Sequence, residues 1–297
     1  MFLCSDRPGA TLRRVLFFKP RQSQIHDTLP TIRQISYRES FMALHAVKIV
    51  SLAQHNERLM FLSVQKPTGF VYRPGQFVRL GIGLCDHPQS EDDYLMRPYS
   101  LASHPSEEVL SFYIARVIDG ELTPKLFSMN IGDELYVDDT AYGMMLPERL
   151  EPAGTLMCFG SGSGLSAFLS IVKDNPWQRF DNVVVVHCAR THDDISLTKE
   201  FEKSVKAQHR EVNFRFIAAT TRESNPAKRG EITKRVPEAI QEGDFTAMGF
   251  DFSPKWVRAM ICGNPAFVDS MKKTLKSMGF TAPRGQTLGT FVAENFW

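Results

Sequence analysis

Seven consecutive residues, Arg97-Pro98-Tyr99-Ser100-Leu101-Ala102-Ser103, carry a dense set of chemically useful groups. Arg97 offers a planar fork of donors that suits phosphate and keeps its charge at any working pH. Pro98 has a fixed φ, which holds Arg97 and Tyr99 in a set relation. Tyr99 can lay its ring on a flat ligand and use its hydroxyl as a polar handle. Ser100 adds a second hydroxyl. The group suits a flat heterocycle that carries a phosphate. It also suits an ordinary strand with alternating side chains, and chemistry alone leaves both readings open.

Further along, Leu110–Val117 reads as a strand, and the turn Asp119-Gly120-Glu121-Leu122-Thr123 follows it. A strand that runs into a Gly turn can present successive backbone N–H groups to a pyrophosphate, although a plain hairpin has the same pattern. Gly160-Ser161-Gly162-Ser163-Gly164 follows a predicted strand and opens a predicted helix, Leu165–Lys173. Glycines there let a ligand approach the backbone, and the helix N-terminus favours an anion. The loop departs from G-x-G-x-x-G because Ala167 holds the last position.

Arg190 ends the predicted strand Val183–Ala189, where an α/β fold places groups that read a dinucleotide's ribose. An acid there prefers a free hydroxyl, whereas an Arg suits an added 2′-phosphate. Arg222 follows the next strand, and Arg229 lies shortly after. Asp193 and Asp194 leave room for the opposite preference, and all three arginines also read as solvated surface residues. Cys262, in Ile261-Cys262-Gly263-Asn264-Pro265, reads as a small packing residue. The chain ends Glu294-Asn295-Phe296-Trp297, and two aromatics at a terminus suggest that it docks.

The elements that must position these residues change character midway. From His45 to about Leu146, short β-prone runs are separated by polar turns without intervening helices: 46–52, 59–64, 77–80, the Arg97 strand, 109–117 and 134–137. That pattern predicts an antiparallel β-barrel. Residues 147–154, with Pro147, Pro152 and Gly154, punctuate the chain. Beyond them, strands at 155–159, 183–189, 213–220 and 257–262 alternate with helical segments, which predicts an α/β doubly wound parallel sheet. The expected organisation is therefore a basic extension at 1–40, a barrel domain at 41–148 and an α/β domain at 154–297.

Composition narrows the class. A 297-residue chain with 43% hydrophobic and 23% charged residues is ordinary for globular domains, and no apolar run approaches the roughly 20 residues of a bilayer span. Residues 1–40 hold seven Lys/Arg against three acids and no adequate signal-peptide core. A disordered tail, an organelle-type presequence and an upstream extension all fit, and a poorly ordered extension is the favoured expectation. Five widely separated cysteines without a C-x-x-C pair exclude the usual zinc and iron–sulfur spacings and suit a reduced, cytoplasmic protein. No metal, nucleic-acid or membrane partner is expected, and a monomer is the default.

Arg97-Pro98-Tyr99-Ser100 resembles the Arg-x-Tyr-Ser flavin motif of the ferredoxin–NADP reductase superfamily. The resemblance runs in order from roughly Phe41 to Trp297 and is nearest to the bacterial ferredoxin/flavodoxin–NADP reductases. It implies FAD and NADP as cofactors, ferredoxin or flavodoxin as carrier, and hydride transfer between NADP(H) and flavin. Flavin contacts would fall to Arg97, Pro98, Tyr99, Ser100, Tyr113, Ile114, Ala115, Arg116, Leu122 and Thr123. Gly162, Ser163 and Gly164 resemble the family's Gly-Thr-Gly-x-x-x-Phe loop, with Ser163 for Thr and Ala167 for Pro. Arg190 and Arg222 match the 2′-phosphate arginines. Arg229 matches less well, because Arg229-Gly230 inverts the usual order. Ser100 would hydrogen-bond the reactive flavin nitrogen, Phe296 would cover the ring as a gate, Trp297 would lie on the adenine, and Glu294 would stand near the nicotinamide. Three further readings remain: the reductase component of an oxygenase or a general diaphorase, a non-catalytic FAD/NADP-binding redox-sensing module, and a dinucleotide-free α/β protein whose Gly loop holds another anion.

Overall fold

The computed structural model describes residues 43–295 except 87, 89, 196, 197, 210 and 211. The expectations for residues 1–40 and for Phe296 and Trp297 lie outside the described residues.

Six strands come first: β1 (Leu44–Asn56), β2 (Leu59–Gln65), β3 (Phe77–Gly83), β4 (Tyr94–Ser100), β5 (Val109–Ala115) and β6 (Glu134–Asp138). They form one antiparallel sheet in the order β4-β3-β6-β1-β2-β5. Period-two alternation turns Leu62, Val64, Val78, Leu80, Leu110, Phe112, Ile114, Leu135 and Val137 into one closed interior. The sheet curls until the chain just past β4 meets β5. Ala102 N–H donates to the Ser111 carbonyl at 2.7 Å, and Ser111 N–H donates to Ser103 Oγ at 3.1 Å. The expected barrel is thus observed, and Arg79 grips the buried Asp138 carboxylate at 2.9 Å. Pro98 fits because β4 is a sheet edge, where no ladder donor is lost. A one-turn helix, α1 (Thr123–Leu126), follows β5.

The second sheet is parallel: β7 (Ala153–Ser161), β8 (Phe180–Ala189), β9 (Asn213–Thr220), β10 (Val257–Gly263) and β11 (Phe291–Asn295), in the order β11-β10-β7-β8-β9. Helices α2 (Leu165–Lys173), α3 (Thr198–Gln208), α4 (Val236–Gln241), α5 (Asp244–Ala247) and α6 (Pro265–Ser277) connect them. Alternate residues of each strand enter two cores, one per face: Val183 and Val185 on one side, Val184 and Val186 on the other. This is why the Val run is apolar at every position. The strand order reverses at β7, between β10 and β8. Ligands of such sheets sit in the crevice beyond the strand ends at that point.

β11 was not anticipated. Its five residues read as part of an aromatic terminus, yet they pair in parallel with β10 from Ala259↔Phe291 to Gly263↔Asn295. The connection between the sheets is pinned by Arg258, whose buried guanidinium donates to the Glu151 carbonyl at 2.9 Å and pairs with the Glu151 carboxylate at 3.1 Å.

Candidate active site

Helix α2 starts at the reversal point and lays one face against the barrel. Ser166, Ser170 and Lys173 share that face at helical spacing. Ser166 Oγ donates to the Ser100 carbonyl at 2.7 Å and accepts from Tyr113 N–H at 3.3 Å, so one hydroxyl ties β4 and β5 to the helix. Ser170 Oγ donates to the Ser103 carbonyl at 2.6 Å, and Lys173 Nζ meets Glu107 at 2.8 Å. The Gly loop is packed just as closely. A Cβ on Gly164 would lie 2.3 Å from the Cys262 carbonyl, which only Gly permits. Asn264 caps α6 through Phe267 N–H and also donates to Ser161 Oγ at 3.0 Å.

This seam holds an unusual concentration of unsatisfied polar atoms. Five buried side-chain polar atoms lack a hydrogen-bond partner among the described residues, and three belong here: Ser100 Oγ, the Tyr113 hydroxyl and Glu294 Oε2. Folded proteins tolerate few such groups, so three at a crevice point to a ligand that completes them. The Cys262 thiol, a weak hydrogen-bonding group, lies beside Ser100 and Glu294. Burial pushes it up, the Glu294 charge pushes it further, and Ser100 works the other way. No nucleophilic thiolate is available there. Glu294 sits on β11, with Oε1 accepting from Met144 N–H. Burial raises its carboxyl above the usual range against the pull of the Met144 and Met145 N–H groups.

The two barrel motifs come together. Arg97 on β4 reaches across to Glu121 in the turn after β5, with Nη2 to Oε2 at 3.2 Å, and its fork remains half exposed. Tyr99 packs edge-on against Phe112, and burial raises its hydroxyl pKa despite the Arg97 charge. Tyr113 rests on Phe61 at 5.0 Å. Ile114 and Leu122 point into the barrel core, so only their backbones can face a ligand. Ala115 is half-buried at the end of β5. Arg116 lies over the Phe127 ring. Thr123 Oγ1 accepts from Val117 N–H at 2.8 Å, which commits it to shaping the turn.

Gly162 has a φ of +56°, and its carbonyl accepts from His187 Nε2 at 3.1 Å, so that nitrogen carries the proton. Ser163 is half-buried in the same turn. Burial lowers the His187 pKa to about 4, opposed by the Gly162 carbonyl and by Asp194. His187 and Ser166 escaped the sequence reading. Each acts through contacts distant in sequence, and no local pattern announces it.

Beyond the ends of β8 and β9 lies a charged rim. Arg222 N–H donates to the Arg190 carbonyl at 2.7 Å, which sets the two residues side by side. Both side chains are exposed and make no ion pair or hydrogen bond among the described residues. The nearby acids are engaged elsewhere. Glu223 accepts from His192 and Asn225 N–H groups at 3.0 and 2.9 Å, and Asp193 faces Lys228 at 3.4 Å. Arg229 is exposed after the turn 226–228, on the same loop as Lys228. Glu231, two residues on, is paired with Arg215 at 2.6 Å.

Among the described residues there is no His/Cys/Asp/Glu cluster suited to a metal ion, and no helix is long and apolar enough to cross a membrane. Residues 159–273 match the oxidoreductase NAD-binding domain family. The chain is 28% identical over 256 residues to the flavodoxin/ferredoxin–NADP reductase of Escherichia coli, covering 84% of this chain and 97% of that one. It is 28% identical over 259 residues to the ferredoxin–NADP reductase of Pseudomonas aeruginosa, covering 84% and 96%. A solved ferredoxin–NADP+ reductase from Neisseria gonorrhoeae, with bound FAD and NADP, superposes with a TM-score of 0.74 at 29% identity, covering 85% of this chain and 98% of the other. The antiparallel barrel, the parallel sheet and the ordered motifs agree with these likenesses along the same stretch, over which the chain is similar to the ferredoxin/flavodoxin–NADP reductases.

Proposed function

We propose that this protein transfers a hydride between NADP(H) and a bound FAD, and single electrons between that flavin and ferredoxin or flavodoxin. The observation that carries the reading is the trio of buried, unpartnered polar atoms, Ser100 Oγ, Tyr113 OH and Glu294 Oε2, on strands that face the Gly loop. They fit a flavin: a flat, apolar-faced ring with polar atoms along one edge would complete hydroxyls that the protein leaves open. FAD supplies the hydride and one-electron chemistry when bound.

The chain's own residues position and shield. Ser100 Oγ is held ready to hydrogen-bond a reactive ring nitrogen, its backbone fixed through Ser166. Arg97, paired with Glu121 at 3.2 Å, and the turn at Glu121-Leu122-Thr123 would hold the flavin's phosphates. Arg190 and Arg222 take the 2′-phosphate of NADP, with Arg229 as a third cation. Gly162, Ser163 and Gly164 let the dinucleotide approach the strand ends. Glu294, its carboxyl raised by burial, would hold or pass a proton near the nicotinamide.

A cleft of about 310 Å³ opens beside Glu294 and Met144, rimmed by Arg149, Lys272 and Lys276. None of these three side chains is paired among the described residues. Such a rim suits an acidic carrier protein docking at the flavin edge. The protein acts as a cytoplasmic monomer. An anaerobic spectrophotometric titration tests the whole reading. A flavin spectrum bleached promptly by NADPH and slowly by NADH is expected. A protein that takes up no FAD on reconstitution overturns it.

A further inference from the structure

The hairpin between β1 and β2 belongs to the barrel, yet three of its side chains reach the charged rim. His55 Nε2 and Asn56 Nδ2 both donate to the Asp193 carbonyl, at 2.8 and 2.9 Å. Arg58 Nη2 pairs with Asp194 Oδ1 at 3.0 Å, and the Asp194 side chain is only 14% exposed. Asn56 also orders the hairpin itself, because its Oδ1 accepts from Arg58 N–H at 2.8 Å. The Arg58 carbonyl accepts from Arg116 N–H, which anchors the hairpin to the end of β5.

The gripped segment, Thr191–Asp194, directly follows Arg190. It has no regular ladder of its own beyond a single turn, His192–Asp194. It is attached to the rim by His192 N–H to Glu223 and Asp193 to Lys228, and braced internally by Thr191 Oγ1 to Asp194 Oδ2 at 3.3 Å. The barrel therefore fixes the turn from one side while the loop after β9 fixes it from the other. Two donors on one carbonyl plus a half-sheltered ion pair define a position, which a single exposed ion pair does not.

We infer that His55, Asn56 and Arg58 form a positioning strap that sets the 191–194 turn, and through it Arg190, for the adenosine 2′-phosphate of NADP. The inference rests on the proposed 2′-phosphate role of Arg190 and Arg222. The strap touches neither flavin nor nicotinamide. It acts on affinity and on selectivity between NADPH and NADH.

The test is steady-state kinetics on the FAD-loaded enzyme with ferricyanide as acceptor, comparing NADPH and NADH. Arg58→Ala and Asn56→Ala are expected to raise the KM for NADPH about fivefold. The KM for NADH and both kcat values should stay within twofold. Arg58→Lys should restore most of the loss, and Asp194→Asn should reproduce it without adding to Arg58→Ala in the double variant. If Asn56→Ala lowers FAD content, Arg58→Ala and Asp194→Asn carry the test, since they alter side chains only at the rim. An unchanged NADPH KM in those variants, alongside a raised one in Arg190→Ala, overturns the strap alone. An unchanged KM in Arg190→Ala overturns the reading beneath it. Equal losses for NADPH and NADH in the Arg58 variant overturn a role in phosphate selection.

Discussion

The seam between the sheets and the rim beyond β8 and β9 solve recognition in opposite ways. In the seam, donors and acceptors are buried and nearly all committed to backbone, through Ser166, Ser170 and Asn264, and three atoms are left open at defined places. At the rim, Arg190 and Arg222 stand in water with free guanidinium groups beside acids already occupied. A buried orphan hydroxyl carries a desolvation penalty of about 1–3 kcal/mol until a ligand meets it. An exposed arginine carries almost none, and in return its attraction is screened by salt. The seam therefore provides alignment, which hydride transfer needs at near-contact distance. On the proposed reading the rim provides selection, where a long-range charge suffices. The contrast predicts that seam variants change stability and rate, and rim variants change affinity alone.

The sharpest way to break the seam is Gly164→Ala. The new methyl would lie 2.3 Å from the Cys262 carbonyl, a backbone atom that can move only if β10 or the loop moves. Overpacking of this kind costs about 3 kcal/mol. Urea denaturation should show a loss of that order, with reduced flavin retention. A variant of unchanged stability would mean that the loop is looser than its contacts imply.

His187 extends the comparison to pH. Its folded pKa of about 4 lies below the unfolded value of about 6.5, so it is neutral in both states at pH 7. As pH falls from about 6.5 to about 4, the unfolded chain binds a proton that the folded one refuses, and about 3 kcal/mol of stability is lost. His187→Gln should remove this part of the acid loss, so that its stability falls less than wild type between pH 7 and pH 4.5. Arg190→Ala, at the rim, should leave the acid limb intact.

Much of this division is legible in the chain itself. The boundaries of α2, the Gly loop before it and the apolar Val183–Val186 run follow from local pattern, because helix starts and doubly covered strands are local solutions. Arg97 announces itself by type, and Arg190 and Arg222 by type and by place after strands. β11 did not, because five residues at an edge carry little periodicity and their pairing with β10 is a tertiary fact. Ser166 and His187 were silent for a related reason. A serine in a helix and a histidine in an apolar strand look like filler until the barrel and the Gly162 carbonyl are placed beside them.

Ser100→Ala separates stability from catalysis within the seam. The hydroxyl has no partner among the protein's described N and O atoms, so deleting it removes a buried polar group without breaking a bond. The FAD-free protein should be equally stable or slightly more so, by thermal melt. Flavin reduction by NADPH should slow about tenfold, the worth of one hydrogen bond of about 1.4 kcal/mol. A destabilised apoprotein with an unchanged rate would reassign Ser100 to packing.

The smallest structural disturbance with a clear functional readout is at the rim. Arg190→Ala and Arg222→Ala each remove an exposed, unpaired cation, so melting temperature should move by less than a degree or two. Each should raise the KM for NADPH about tenfold, as expected for a charge-assisted bond to phosphate of about 1.5 kcal/mol, and leave that for NADH nearly unchanged. Raising ionic strength should weaken NADPH binding in wild type and narrow its advantage over either variant, because both charges face water. The rate of flavin reduction at saturating NADPH should respond little to salt, since the seam excludes it. Equal salt sensitivity in affinity and in saturated rate would show that the rim and the seam are not separate devices, and that the arginines help to place the nicotinamide itself.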